Sequence, residues 1–381
     1  MAVKIIRQAN KIAVLGSPSS AAAMAPGHEG APAALRAAGL LERLRSVGYA
    51  VTDLGDDPPQ LYKPDAESPR ARNLPSVLAE LEALKPRVEQ AVKSGALPLI
   101  LSGDCSVALA TIAGVRRYFR RVSLVYMDCD ADLHTPATTT SGCVDGMVVA
   151  HLTGRGAAEM VRFWSEPPLV REPDVALFGV NRMEPAEEDA LRDSPLRRYF
   201  ADDVRTMGPT AAAQAAIERI HGSGHEFVLH LDVDVIAEFQ ATDNPGAGGL
   251  RLEEVREALQ VFAQQSHLAA IEVTAYNPTK DTDGTGARMI VDLLADVLGK
   301  RLEIIGPAVA PTESVAASPA AAPATAALSS PQPEPALPAV APGEAWSSES
   351  LELDSESADT VAESTDATAS HASGETDEPH S

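Results

Sequence analysis

Between Ile12 and Leu298 the chain alternates short apolar runs with stretches of helical spacing, and this alternation leaves few architectures open. The runs Ile12–Leu15, Val51–Leu54, Leu97–Leu101, Val122–Tyr126, Val175–Gly179, Phe227–Leu231 and Leu268–Val273 have the length and composition of buried strands. Between them, Ala33–Val47, Val77–Lys93, Val107–Tyr118, Met147–Leu152, Thr210–Ile220, Leu252–Gln264 and Arg288–Leu298 read as helices. A further helix opens at Glu184 and Glu187. Parallel strands need crossover connections, and a helix is the usual one. The pattern therefore predicts an α/β fold with a parallel sheet covered on both faces. Pro86, inside one helical stretch, is placed to kink or divide it. Residues 57–75, rich in Pro and Asp, read as a loop.

Several of the strands run directly into acids. Val122–Tyr126 is followed by Asp128, Asp130 and Asp132, and Phe227–Leu231 by Asp232 and Asp234. If the chain stays extended, alternation puts the members of each set on one side. Carboxylates converging at a sheet edge repel one another unless a cation lies between them, and a hard divalent ion takes oxygen ligands. The carboxyl edge of a parallel sheet is where such groups meet. A third strand ends in Ser102-Gly103-Asp104-Cys105-Ser106, which can bring the Cys105 thiol to the same edge. Alternation from Asp232 also places His230 on that side of its strand, as an auxiliary ligand. An exposed acidic loop is the competing reading for the first cluster.

These residues carry a resemblance. Ser102–Ser106, Asp128–Asp132, Asp232–Asp234 and the run Thr135–Gly142 (TPATTTSG) together resemble the ureohydrolase family of arginases, agmatinases and relatives. The likeness is greatest to arginases and covers about residues 10–306. It implies a three-layer α/β/α fold with a parallel sheet of roughly eight strands, as in arginases and deacetylases. It also implies a divalent metal cofactor, Mn²⁺ in the family, held here by Cys105, Asp128, Asp130, Asp132, Asp232 and Asp234. Thr139, Ser141, His134, Glu184 and Glu187 match positions that bind the amino-acid end of the substrate. The same hydroxyls can instead hold the loop through bonds to its backbone, and the glutamates can serve the helix dipole.

The departures from the family are chemical. Cys105 and Asp130 stand where it has histidine ligands, and Asp145 stands where it has the histidine thought to transfer protons. Ala275, in AYNP, stands where it has the glutamate that holds a guanidinium; Glu272 is three residues away. Asp145 and Asp130 are thus the candidate catalytic acids. Excess negative charge lowers the drive to deprotonate a bridging water. Cys105 shifts preference toward Zn²⁺ or Fe²⁺. One ion or two is left open, because Cys105, Asp128, Asp132 and Asp232 alone make a four-ligand set. The resemblance implies hydrolysis of a C–N bond in a guanidino, amidino or related amino-acid-derived substrate. The alternative is a catalytically inactive relative kept as a binding or regulatory subunit, which these departures would also describe.

The formal charge of −23 is divided unevenly: residues 307–381 hold 13 acids and no Lys or Arg. This segment is rich in Ala, Pro, Ser, Thr and Glu and predicts a disordered acidic tail after a domain spanning residues 1–306. Clustered Lys and Arg are what nucleic acid needs, so none is expected as partner, and an acidic body suits a small cationic substrate. No run approaches the ~20 apolar residues of a membrane helix. The three cysteines, Cys105, Cys129 and Cys143, all fall in the motif regions and read as site thiols. A cytoplasmic homo-oligomer, trimer or hexamer by resemblance, completes the expectation.

Overall fold

The computed structural model describes residues 5–221 and 225–306. The expected acidic tail, residues 307–381, lies outside the described residues, and so does its boundary. Eight strands form one sheet: β1 (Lys11–Ser17), β2 (Ala50–Asp56), β3 (Leu97–Ser102), β4 (Val122–Met127), β5 (Val175–Phe178), β6 (Arg197–Tyr199), β7 (Glu226–Asp232) and β8 (Leu268–Thr274). Their order is β2-β1-β3-β8-β7-β4-β5-β6. Every adjacent pair is parallel.

Strand alternation divides the core in two. On one face Ile12, Val14, Leu99, Leu101, Val125, Met127, Leu229 and Leu231 pack with residues of helices Ala31–Ala37, Leu40–Ser46, Pro209–His221, Leu252–Ala263 and Thr285–Ile305. On the other, Ala13, Leu15, Ile100, Leu124, Tyr126 and Val228 meet helices Leu74–Lys93, Val107–Arg116 and Val148–Leu152. This is the three-layer arrangement expected. All strands are co-directional, so their carboxyl ends collect the loops after β1, β3, β4, β5, β7 and β8 on one edge.

Three local features differ from the periodicity. The helix expected over 33–47 is two helices, because Gly39 adopts a left-handed φ of 87° between them. Pro86 sits inside one unbroken helix, Leu74–Lys93. It and Glu82, whose carbonyl it leaves without an intrahelical donor, are both exposed residues, where that loss costs least. The edge strand β6, RRY, lacks an apolar run and buries only Tyr199.

Gly103 lets two loops cross at the site edge. A Cβ there would lie 1.8 Å from the Ser19 carbonyl oxygen and 2.7 Å from that of His28, while its own carbonyl accepts from Ala275 N at 3.0 Å. Gly103→Ala is expected to cost about 3 kcal/mol by overpacking. Chemical denaturation measures this, and a variant within about 0.5 kcal/mol of the parent contradicts it.

Candidate metal centre

Beyond Met127 the chain leaves the extended form, and Asp132 takes a positive φ of 50°. Strict alternation therefore does not place the acids. Asx-type turns do: Asp130 N donates to Asp128 Oδ1 at 2.7 Å, and Asp234 N donates to Asp232 Oδ1 at 2.7 Å. Strands β4 and β7 are neighbours, so the two turns face each other, and Cys129 N reaches Asp234 Oδ1 at 3.2 Å. Asp128, Asp130, Asp132, Asp232 and Asp234 all line one pocket of about 290 Å³.

The ligand atoms of Asp128, Asp232 and Asp234 lie within 4.8 Å of one another, and all three residues are buried. Burial, and then the neighbouring carboxylates, push the Asp128 and Asp232 carboxyls well above the ordinary range. Asp132 is pushed up likewise, by burial and then Asp145, although it accepts from the Tyr126 hydroxyl. Asp234 is raised to about 6, by burial first and Asp130 next. Acids held against their own repulsion are a fitting donor set for a divalent cation, whose charge stabilises all of them at once. Cys105 lies beneath the pocket; its thiol, pushed up by burial and by Asp145 and Asp232, donates to Asp232 Oδ2 at 3.1 Å.

A cation from the chain itself is also present. The Arg182 guanidinium forks onto Asp130, with Nε–Oδ1 at 2.6 Å and Nη2–Oδ2 at 2.5 Å, and reaches Asp234 Oδ2 at 2.8 Å. Both oxygens of Asp130 thus face a guanidinium. Nothing periodic marks Arg182 in the sequence. The surplus of acids was the one available signal that a cation must come from elsewhere in the chain.

The remaining site residues separate by depth. Asp145 lines the pocket, its Oδ1 accepts from Cys105 N at 2.6 Å, and burial followed by Asp104 pushes it up to about 7. His134 Nε2 lies 3.5 Å from Glu184 Oε2 and 3.6 Å from Glu187 Oε2, and all three line the pocket. Glu187 also accepts from Glu184 N at 3.0 Å and Leu133 N at 3.0 Å, tying a helix start to the acid loop. Ser141 lines the pocket and Thr139 does not. Both hydroxyls accept from loop backbone, Gly142 N to Thr139 at 2.9 Å and Cys143 N to Ser141 at 3.1 Å. Ala275 lines the pocket with a φ of 64°, whereas Glu272 is fully buried against His230. His28 and Asp243 also line it, 3.1 Å apart, and carry no motif that would have singled them out.

The raised acids fix a sign for pH dependence. Their folded-state pKa values exceed the unfolded ones, so the metal-free fold holds protons that the unfolded chain has lost. That contribution is complete below about pH 4 and is lost as pH rises through the values near 6 for Asp234 and 7 for Asp145. Calorimetry in chelator should show Tm falling by several degrees between about pH 5 and pH 8, and saturating divalent metal should flatten the slope. A metal-free Tm that rises over this range contradicts the electrostatic picture.

Among the described residues, no helix is long and apolar enough to cross a membrane. Comparison with known proteins agrees with the fold. The arginase of Bacillus caldovelox is 29% identical over 296 residues, covering 76% of this chain and 99% of that one. The crystal structure of arginase from Bacillus subtilis superposes with a TM-score of 0.70 at 26% identity, over 76% of this chain and 98% of that one. A formimidoylglutamase structure from the same species shares the fold at a TM-score of 0.62 and 19% identity, over 78% of this chain and 88% of that one. The sequence profile of the Arginase family matches residues 10–299, which takes in every strand and every acid of the pocket, and this chain belongs to that family.

Proposed function

We propose that this chain is a metal-dependent hydrolase of the ureohydrolase type, acting on a C–N bond of a small cationic substrate derived from an amino acid. The observation that carries this reading is the approach of Asp128, Asp232 and Asp234 to within 4.8 Å at the floor of an acid-lined pocket. These three would hold a divalent ion, with Asp132 and Cys105 beside them. When bound, such an ion supplies Lewis-acid chemistry to substrate and water. Asp145 lines the pocket, and with Oδ1 committed to Cys105 N–H it would carry and deliver a proton at Oδ2. His134, Glu184, Glu187 and Ser141 orient the amino-acid end. Asp130 acts through Arg182, which fixes the wall of the pocket. The likeness to arginases also supports a trimer or hexamer, which light scattering reads directly.

Ala275 narrows the substrate. Guanidinium recognition relies on a bidentate carboxylate, and a methyl group offers none. The guanidinium of free arginine would therefore lack that carboxylate partner at position 275. Ala275→Glu adds a carboxylate where the Cβ already points into the pocket. It should raise arginine turnover at least about tenfold, the value of one charge-assisted pair. The test of the reading itself is urea and ammonia release from arginine, agmatine and a panel of small amidines after loading with Mn²⁺ or Zn²⁺. Absence of turnover throughout, with less than about 0.2 equivalents of metal bound, defeats it.

A second reading, a non-catalytic binding protein, draws on Arg182. Its guanidinium already offsets one of the two charges of Asp130 and Asp234, so the pocket keeps its shape with less need of metal.

A further inference from the structure

Beneath the oxygen-lined floor is a second convergence with different chemistry. Cys105 Sγ, a carboxylate oxygen of Asp128 and a ring nitrogen of His230 lie within 4.8 Å of one another, all buried. Asp232 Oδ2, 3.1 Å from Cys105 Sγ, completes a sulfur, nitrogen and two-oxygen set. His230 lies in β7, Asp128 directly follows β4 and Cys105 lies in the turn after β3, so one edge of the sheet fixes their spacing. Bond lengths of about 2.0–2.3 Å put tetrahedral ligand edges near 3.5 Å, so closing on an ion asks for about an ångström of side-chain movement.

His230 is built as a metal ligand is built. Its Nδ1 lies 2.7 Å from Glu272 Oε2, and both side chains are fully buried. A carboxylate there accepts a hydrogen bond from Nδ1–H and turns the Nε2 lone pair toward the site, the carboxylate–histidine arrangement found behind metal-ligating imidazoles. The ring is locked by stacking on Tyr126, with centroids 4.3 Å apart and planes within 7°. Nε2 faces the Thr274 hydroxyl at 3.2 Å, and that hydroxyl is also 3.2 Å from Cys105 Sγ. One small hydroxyl therefore separates the thiol from the imidazole. A dry core has little reason to collect a thiol, an imidazole and two carboxylates unless they share a partner.

We propose that this protein takes a thiophilic transition-metal ion of the Zn²⁺ or Co²⁺ class through Cys105, His230, Asp128 and Asp232, with Glu272 as the positioning residue for His230. Soft sulfur and imidazole donors favour such an ion over Mn²⁺, whereas Asp128, Asp232 and Asp234 alone are an oxygen set. The proposal rests on the reading that this pocket holds a divalent cation, and adds which ion and which ligands.

The test titrates metal-free full-length protein with Co²⁺ and follows its absorption, with Mn²⁺ binding measured in parallel. The expected result is a sulfur-to-cobalt charge-transfer band together with the intense visible bands of tetrahedral cobalt, saturating at one equivalent. Cys105→Ser should abolish the charge-transfer band, with circular dichroism unchanged. Glu272→Gln should weaken Co²⁺ and Zn²⁺ at least about tenfold and leave Mn²⁺ within about twofold. His230→Gln should do the same, and Glu272→Gln carries the test if that variant does not fold. If Co²⁺ binds with only weak octahedral bands, or Glu272→Gln and His230→Gln leave its affinity unchanged, the proposal is overturned and the hydrolase reading stands. If neither Co²⁺, Zn²⁺ nor Mn²⁺ binds, both are overturned.

Discussion

Asp128→Asn should remove divalent metal from the protein and, in the same stroke, stabilise the metal-free fold. Asp128 belongs to both convergent ligand groups found among the described residues, so an ion held by either one uses it. The amide is isosteric and still accepts from Asp130 N at the present Oδ1 position, so the turn after β4 persists. It lacks the charge that holds a cation, and after loading the bound metal should fall below about 0.1 equivalents. Without metal, that same charge is a liability: Asp128 is 2% exposed and faces Asp232, Asp132 and Asp234. Removing it should add about 1–3 kcal/mol to the stability of the metal-free protein at pH 8. Elemental analysis and denaturation in chelator measure the two halves independently. Metal retained at the parental level, or a lower metal-free Tm, is the outcome that counts against a shared cation site.

Arg182→Ala should act in the opposite sense. The guanidinium spans Asp130 and Asp234, and its Nη1 also reaches the Asn244 and Pro245 carbonyls at 3.3 and 3.5 Å, tying down the loop after β7. Truncation leaves two carboxylates facing each other without a counter-charge. The side chains of Arg182 and Asp130 are 31% and 29% exposed, so solvent screens part of the cost. A loss of about 2 kcal/mol in chelator, or a few degrees in Tm, is expected. Saturating Mn²⁺ should restore most of it, with one more equivalent bound than in the parent, because the freed carboxylates become ligands. Arg182→Lys should restore only part of the stability, since an ammonium cannot fork across both acids. Unchanged stability and metal content in Arg182→Ala would mean that the guanidinium is not a structural counter-ion.

The sequence by itself determined the strand–helix alternation, the parallel sheet and the edge on which the acids collect. Those follow from local periodicity and from the rule that parallel strands need crossovers. It did not show β6, which is an edge strand with one buried side chain, nor the break at Gly39, which depends on a single dihedral angle. Five acids at two strand ends announced that a positive charge was required, because like charges cannot share a dry edge uncompensated. Which cations supply it was decided only by tertiary structure. Arg182 lies 52 residues from both Asp130 and Asp234, and no spacing rule joins them. His230 and Glu272 come from β7 and β8 and Cys105 from the turn after β3, three neighbours whose adjacency exists only once the sheet has formed, so their grouping belongs to the fold rather than to any stretch of the chain.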